Sequence, residues 1–264
     1  VPMPVVLERG ISFRNVTFRY PGSGRTVLKD FNLTIPSGKV VAIVGANGAG
    51  KSTLSKLLCR FYDPDEGSVE LDGIDLRNLG LAELHKRITL MFQIPVYYQT
   101  TVRENISLGS LRDSPDMESI RNAARCAGAE EIIDRLPHNY ETLLGKWFAE
   151  GTELSAGEWQ RIAMARAFLR KSQIIILDEP TSMMDSWSEA DWFDRLRTLA
   201  TGRTTVIITH RLSIAMRADL IYVMMRGEII ESGTHDELLA RGGDYARSWY
   251  LQTHSEANAV NPTA

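Results

Sequence analysis

The run Val40-Val41-Ala42-Ile43-Val44-Gly45-Ala46-Asn47-Gly48-Ala49-Gly50-Lys51-Ser52 is the most informative in the chain. Five apolar residues in succession read as a strand buried on both faces. The eight that follow fit G-x-x-x-x-G-K-[ST]. Glycines at these positions let the backbone curl until several N–H groups aim at one phosphate chain. Lys51 then reaches the β- and γ-phosphates, and the Ser52 hydroxyl faces Mg²⁺. Leu54, Leu57, Leu58 and Phe61 follow at helical spacing. A helix starting after Gly50 adds the positive end of its dipole. Strand, loop and helix in this order predict a nucleotide site made of Gly45, Ala46, Asn47, Gly48, Ala49, Gly50, Lys51, Ser52 and Thr53.

A second strand pattern, Ile174-Ile175-Ile176-Leu177, ends in Asp178-Glu179. Carboxylates at the C-terminal edge of a parallel sheet face the ligand crevice. Asp178 is placed to hold Mg²⁺ through water, and Glu179 to orient or deprotonate an attacking water. Residues 205–209 form a third apolar run, which ends in His210. The residues alone leave His210 open between a structural role and a contact to a γ-phosphate. Further strands are predicted at 220–225 and, by two short alternations, at Ile11/Phe13 and Val16/Phe18/Tyr20. From about 101 to 170 the β-branched runs give way to Ala, Arg and Glu, which reads as mostly helical. A helix is also predicted over 189–199. Strands alternating with helices imply a parallel sheet covered on both faces. The polar tail after Gln252 is expected to be disordered.

Composition narrows the function. The 264 residues carry 30 Lys and Arg against 33 Asp and Glu, a net charge of −3. Gripping nucleic acid needs a basic surplus, so no nucleic-acid partner is expected. Two cysteines, Cys59 and Cys126, support neither a disulfide framework nor a zinc cluster. The longest apolar runs, such as 40–46 and 220–225, fall far short of the ~20 residues a spanning helix needs. The start at Val1 rather than Met is compatible with an excised domain or a processed start.

Leu154-Ser155-Ala156-Gly157-Glu158-Trp159-Gln160-Arg161 completes the pattern. It resembles Leu-Ser-Gly-Gly-Gln with its trailing Gln-Arg, the signature of the nucleotide-binding domains of ATP-binding cassette (ABC) transporters. Asp178-Glu179 follows at the family's spacing, and the resemblance runs from Tyr20 to about Leu251. It implies a P-loop NTPase, RecA-like α/β core with a mostly parallel sheet, an N-terminal antiparallel β-subdomain and an inserted helical subdomain. The implied division is 1–92 for the β-subdomain and first part of the core, 93–170 for the helical subdomain, 171–252 for the rest of the core, and 253–264 for the tail. It implies ATP and Mg²⁺ as ligand and cofactor. Tyr20 resembles the aromatic that stacks on adenine, and Gln93 the glutamine that reaches Mg²⁺ and the water. His210 resembles the switch histidine, and Ser182 to Asp185 the D-loop. Ser155, Gly157, Glu158 and Asp185 would act across a head-to-tail dimer, each signature helix facing the ATP of the other chain. Ser155-x-x-Glu158 is also a capping box. The two readings agree, because a capped helix start exposes N–H groups suited to a phosphate.

Ala156 departs from the family's Gly, Glu158 from its Gln, and Met183-Met184 from the usual Ala-Leu of the D-loop. The resemblance implies a modest loss from Ala156, since it adds a Cβ near the expected phosphate. Thr100-Thr101-Val102-Arg103-Glu104-Asn105-Ile106 and Gly233-Thr234-His235-Asp236-Glu237-Leu238-Leu239 resemble the exporter branch. That branch implies an attached transmembrane domain, a second copy or homologous nucleotide-binding domain as partner, and a place at the cytoplasmic face of a membrane. Phe148-Ala149-Glu150 would touch the membrane domain. A soluble cassette ATPase and a non-catalytic dimerisation module are the alternatives. The chain lacks the coiled-coil insertion or second cassette of the former, and Glu179 with His210 speaks against the latter.

Overall fold

Ile11, Phe13, Val16 and Phe18 are buried on a single strand, β1 (Gly10–Arg19), rather than on two. The alternation slips phase because the register shifts between Phe13 and Val16, where Asn15 has φ +49°. This is a bulge: one extra residue lets both apolar pairs face the same side. The computed structural model describes residues 7–110, 114–147, 149–184 and 186–260. They form two compact units, 1–85 with 204–264 and 86–203.

The first unit opens with β1 and β2 (Thr26–Pro36), then β3 (Val40–Val44) and α1 (Lys51–Leu58). β4 (Glu66–Leu71) and β5 (Ile74–Asp75) follow, and α2 (Leu81–Arg87) reaches the unit's edge. The strands β2, β1, β4 and β5 pair antiparallel in that order. Phe13 and Phe31 meet edge to face at 5.6 Å between them. Leu54, Leu57 and Leu58 of α1 are buried as the periodicity predicts. Phe61 is not on that face. The helix ends at Cys59, Arg60 turns to φ +52° and the Phe61 N–H bonds back to Lys56, which throws the ring out to 49% exposure.

The second unit pairs β6 (Ile88–Met91) with β7 (Ile174–Asp178) in parallel, Ile88 opposite Ile174 and Met91 opposite Leu177. Between them run α3 (Val102–Ser107), α4 (Met117–Cys126), α5 (Glu130–Asp134) and α6 (Ala156–Leu169). The helix α7 (Ser186–Leu199) follows β7. α3 starts with a capping box, Thr101 to Glu104. α6 is buried over most of its surface, from Trp159 to Leu169. Arg166 on it has no carboxylate for a partner in this network. Its guanidinium lies 4.5 Å from the Tyr98 ring and donates to Asn105 Oδ1 (2.9 Å), the Asn105 carbonyl (3.1 Å) and the Val96 carbonyl (3.2 Å). Burial lowers its pKa. Asn105, fully buried, donates in turn to the Tyr98 carbonyl at 2.8 Å. Asn105→Ala leaves that carbonyl and the guanidinium short of partners. It is expected to destabilise the chain by about 2–4 kcal/mol, read from the urea midpoint at unchanged slope.

The chain then returns to the first unit with β8 (Thr204–Thr209), α8 (Leu212–Ala215), β9 (Leu220–Met225) and β10 (Glu228–Gly233). β3 pairs in parallel with both β8 and β9, and β10 is antiparallel to β9. Every residue of β3 and β8 is buried, as expected of strands covered on both faces. The last helices are α9 (His235–Arg241) and α10 (Asp244–Val260). Leu238 and Tyr245 from them pack with Ala42, Val44, Ile221 and Val223 in one cluster. The tail is helical past Gln252, as far as Val260. Residues 253–260 hold no Gly or Pro, and the first proline beyond is Pro262. Among the described residues no helix is long and apolar enough to cross a membrane.

Candidate nucleotide-binding site

In the first unit the chain leaves β3 at Gly45 with φ +155°, where a Cβ would stand 2.1 Å from the Met224 carbonyl oxygen. No side chain fits there. Gly50, at φ +102°, is the N-cap of α1 and offers no side chain to its first N–H groups. Those groups have no acceptor inside the helix. Ala46, Asn47, Gly48 and Ser52 are exposed, while Ala49, Lys51 and Thr53 are buried. Lys51 is 7% exposed, and its ammonium donates to the carbonyls of Gly45 (2.7 Å) and Ala46 (3.0 Å). The Gly227 N–H holds the Ala49 carbonyl at 3.0 Å. A curled glycine loop with a cation beside it, leading into a helix N-terminus, has the makings of a polyphosphate cradle.

Tyr20 stands beside this loop. Its hydroxyl is 2.9 Å from Thr53 Oγ1 and accepts from Lys56 Nζ at 3.3 Å. Its ring meets Tyr62 edge to face at 5.4 Å and has Lys56 Nζ 4.9 Å from its centroid. The ring is therefore fixed at the rim before any ligand arrives. His210 follows β8 and is exposed. Gln252 of α10 brackets it, donating to the His210 carbonyl (2.8 Å) and accepting from the Leu212 N–H (3.0 Å). Lys56 and Gln252 were not read from the sequence; both act through partners distant along the chain.

The second unit carries the other site residues. β7 is wholly buried and delivers Asp178 (4% exposed) and Glu179 (6% exposed). Glu179 has φ +48°, a strained conformation for a residue with a side chain. Its carbonyl accepts from Ser182 N–H at 3.2 Å, and Thr181 accepts from Met184 N–H at 2.9 Å. Such strain persists only where neighbours impose it, and it gathers at working sites. Gln93 lies two residues beyond β6 and is exposed. The Ser155 capping box is present: Ser155 Oγ accepts from Glu158 N–H (3.3 Å), and Glu158 Oε2 accepts from Ser155 N–H (2.8 Å). Ser155 and Ala156 are exposed at the start of α6; Gly157 is half-buried, 3.1 Å from the Met183 carbonyl oxygen if given a Cβ. Trp159 stacks on Tyr97 with centroids 4.8 Å apart. Asp185 and Phe148 lie outside the described residues.

The groups expected to meet Mg²⁺, the Ser52 hydroxyl in the first unit and the Gln93 amide and Asp178 carboxylate in the second, each offer oxygen, the donor type that suits this ion. Among the described residues no three His, Cys, Asp or Glu gather at one point. Mg²⁺ commonly takes the rest of its ligands from phosphate and water.

Comparison with known proteins agrees with the geometry. Residues 28–182 match the family model "ABC transporter". The chain is 44% identical over 250 residues to the ATP-dependent lipid A-core flippase of Chromohalobacter salexigens, covering 95% of this chain and 42% of that one. It is 46% identical over 260 residues to the mitochondrial potassium channel ATP-binding subunit of Mus musculus, covering 98% and 36%. Among solved structures, a bacterial Atm1-family ABC exporter with ATP bound superposes with a TM-score of 0.87 at 38% identity, over 95% of this chain and 43% of that one. The chain thus spans less than half the length of these relatives. Loop, acidic strand end, capped signature helix and these matches converge: the chain belongs to the ABC transporter family and corresponds to its exporter-type nucleotide-binding domain.

Proposed function

We propose that this chain hydrolyses MgATP and works as the motor of an exporter, closing head to tail on a second copy or a homologue. The observation that carries the reading is Glu179, a buried carboxylate held at positive φ directly after Asp178 at the end of a buried strand. A surface acid has no need of that strain. The loop amides and Lys51 bind the β- and γ-phosphates, and Tyr20 carries the adenine. Ser52, Gln93 and Asp178 would hold Mg²⁺, which would supply neutralisation of phosphate charge. Glu179 orients the water whose oxygen bonds to the γ-phosphorus, and takes its proton as the bond to the β–γ bridging oxygen breaks. ADP and phosphate are the products. His210 steadies the γ-phosphate. Ser155, Gly157, Glu158 and Asp185 serve the ATP of the opposite chain, so the interface is isologous.

The second partner is a transmembrane domain. Residues 92–98 expose Phe92, Ile94 (77%), Val96 (58%), Tyr97 and Tyr98, and Trp147 is 83% exposed. Large apolar side chains gathered in so short a segment fit a protein-docking surface. Trp147 neighbours the 148–150 segment for which the sequence implied the same contact. We assign 93–170 to the subdomain that transmits dimer closure to that partner, with the chain at the cytoplasmic face of the membrane.

Two substitutions test the roles separately. Tyr20→Ala is expected to weaken ATP binding by about 10-fold, since stacking on one base contributes ~1–3 kcal/mol. Calorimetric titration reads it, and an unchanged Kd removes Tyr20 from the adenine site. Ser155→Ala is expected to cost about 1 kcal/mol of stability through the lost cap. It should also lower turnover at saturating ATP well beyond what that small loss explains. A stability change with unaltered turnover would reduce Ser155 to its capping role.

A further inference from the structure

Gln160 is the one polar side chain of α6 that is almost wholly buried, at 1% exposure, yet no role at the nucleotide has been given to it. Its amide spans two peptide groups. Nε2 donates to the Glu179 carbonyl at 3.4 Å, and Oε1 accepts from the Met183 N–H at 3.3 Å. A buried amide that meets a backbone acceptor with its donor and a backbone donor with its acceptor fixes both groups at once. One of those groups belongs to the residue with φ +48°. The same turn of α6 approaches Met183 a second time, at Gly157, where a Cβ would come 3.1 Å from the Met183 carbonyl oxygen. Ser155 caps this turn.

We propose that Gln160 is a positioning residue for hydrolysis: it clamps the Glu179 peptide and the 181–184 loop onto the first turns of α6, and so aims the Glu179 carboxylate. The inference rests on the function proposed above. It also gives that function a consequence. The start of α6 is the part that would face the partner's nucleotide, whereas Glu179 serves the chain's own. Gln160 therefore ties the occupancy of one site to the alignment of the base in the other. Both hydrogen bonds are longer than the ~2.7–3.2 Å usual for N–H···O, which suits a clamp that yields when α6 shifts.

The test uses Gln160→Met, which keeps the length of the side chain and removes both hydrogen bonds. The expected result is a kcat about 10-fold lower with KM for ATP within twofold, since misplacing a base by a fraction of an ångström acts on the chemical step. Introduced into Glu179→Gln, the same change is expected to lower the residual rate no further, because the group it positions is already gone. A tenfold loss repeated in that background, or a kcat equal to wild type, overturns the proposal. Hydrogen exchange supplies a readout that needs no turnover and no variant. The wild-type Met183 amide is expected to exchange at least ~10-fold more slowly than the fully exposed rate. Exchange at that exposed rate also overturns it. A wild type that binds ATP but never hydrolyses it fails the proposed function and takes the kinetic half of this inference with it. A wild type that hydrolyses beside an equally active Gln160→Met fails this inference alone.

Discussion

Glu179→Gln is expected to lower ATP turnover by ~10²–10⁴-fold, the scale of losing a general base, while ATP binding stays intact. The amide keeps the size and shape of the carboxylate but cannot accept the proton of the attacking water. The backbone there is set by neighbours and not by the side chain: Glu179 follows a strand every residue of which is buried, and its carbonyl is held by Ser182 and Gln160. The substitution therefore removes chemistry and leaves the positive-φ conformation in place. Nucleotide titration is expected to give a Kd near wild type, and single-turnover kinetics a slowed chemical step. Turnover retained in this variant would remove Glu179 from the reaction and with it the reading of the strand end.

Lys51→Ala is expected to act on the other quantity, raising the Kd for ATP by about 10²-fold. Charge-assisted hydrogen bonds contribute ~1.5–3 kcal/mol, and 1.4 kcal/mol is tenfold in affinity. The geometry adds a second cause. The ammonium bridges the Gly45 and Ala46 carbonyls, so it also holds the loop in its curl. Alanine leaves those carbonyls to water and lets the exposed 46–48 segment relax. Calorimetry with ATP under excess Mg²⁺ reads the change. An affinity within threefold of wild type would mean that the phosphates sit elsewhere.

The features that read directly from the sequence are those whose cause is local. The phosphate loop announces itself because its glycines, lysine and serine are contiguous and lie between a buried strand and an amphipathic helix. Asp178-Glu179 is legible for the same reason. The Ser155 capping box is a four-residue pattern, and the structure has it. The same pattern starts α3 at Thr101 and α9 at Thr234, where it was there to be read. What escaped depends on partners far along the chain. Gln160 meets Glu179 across 19 residues, and Gln252 meets His210 across 42. No periodicity marks such pairs. The bulge in β1 left a trace, the slip from 11/13 to 16/18, but its meaning came only from the register against β2. The polarity of the tail points to disorder, whereas α10 runs to Val260. Ala, Glu and Ser can prolong a helix that Tyr245 and Trp249 have already anchored on the core.

The most direct test of the account is the ATPase rate per chain measured across a wide range of protein concentration, with Mg²⁺ and saturating ATP, alongside light scattering on the same samples. A site completed by the signature helix of a second chain predicts a specific activity that climbs with concentration and levels off as dimers fill. A constant specific activity, persisting down to concentrations where scattering finds only monomers, would contradict it.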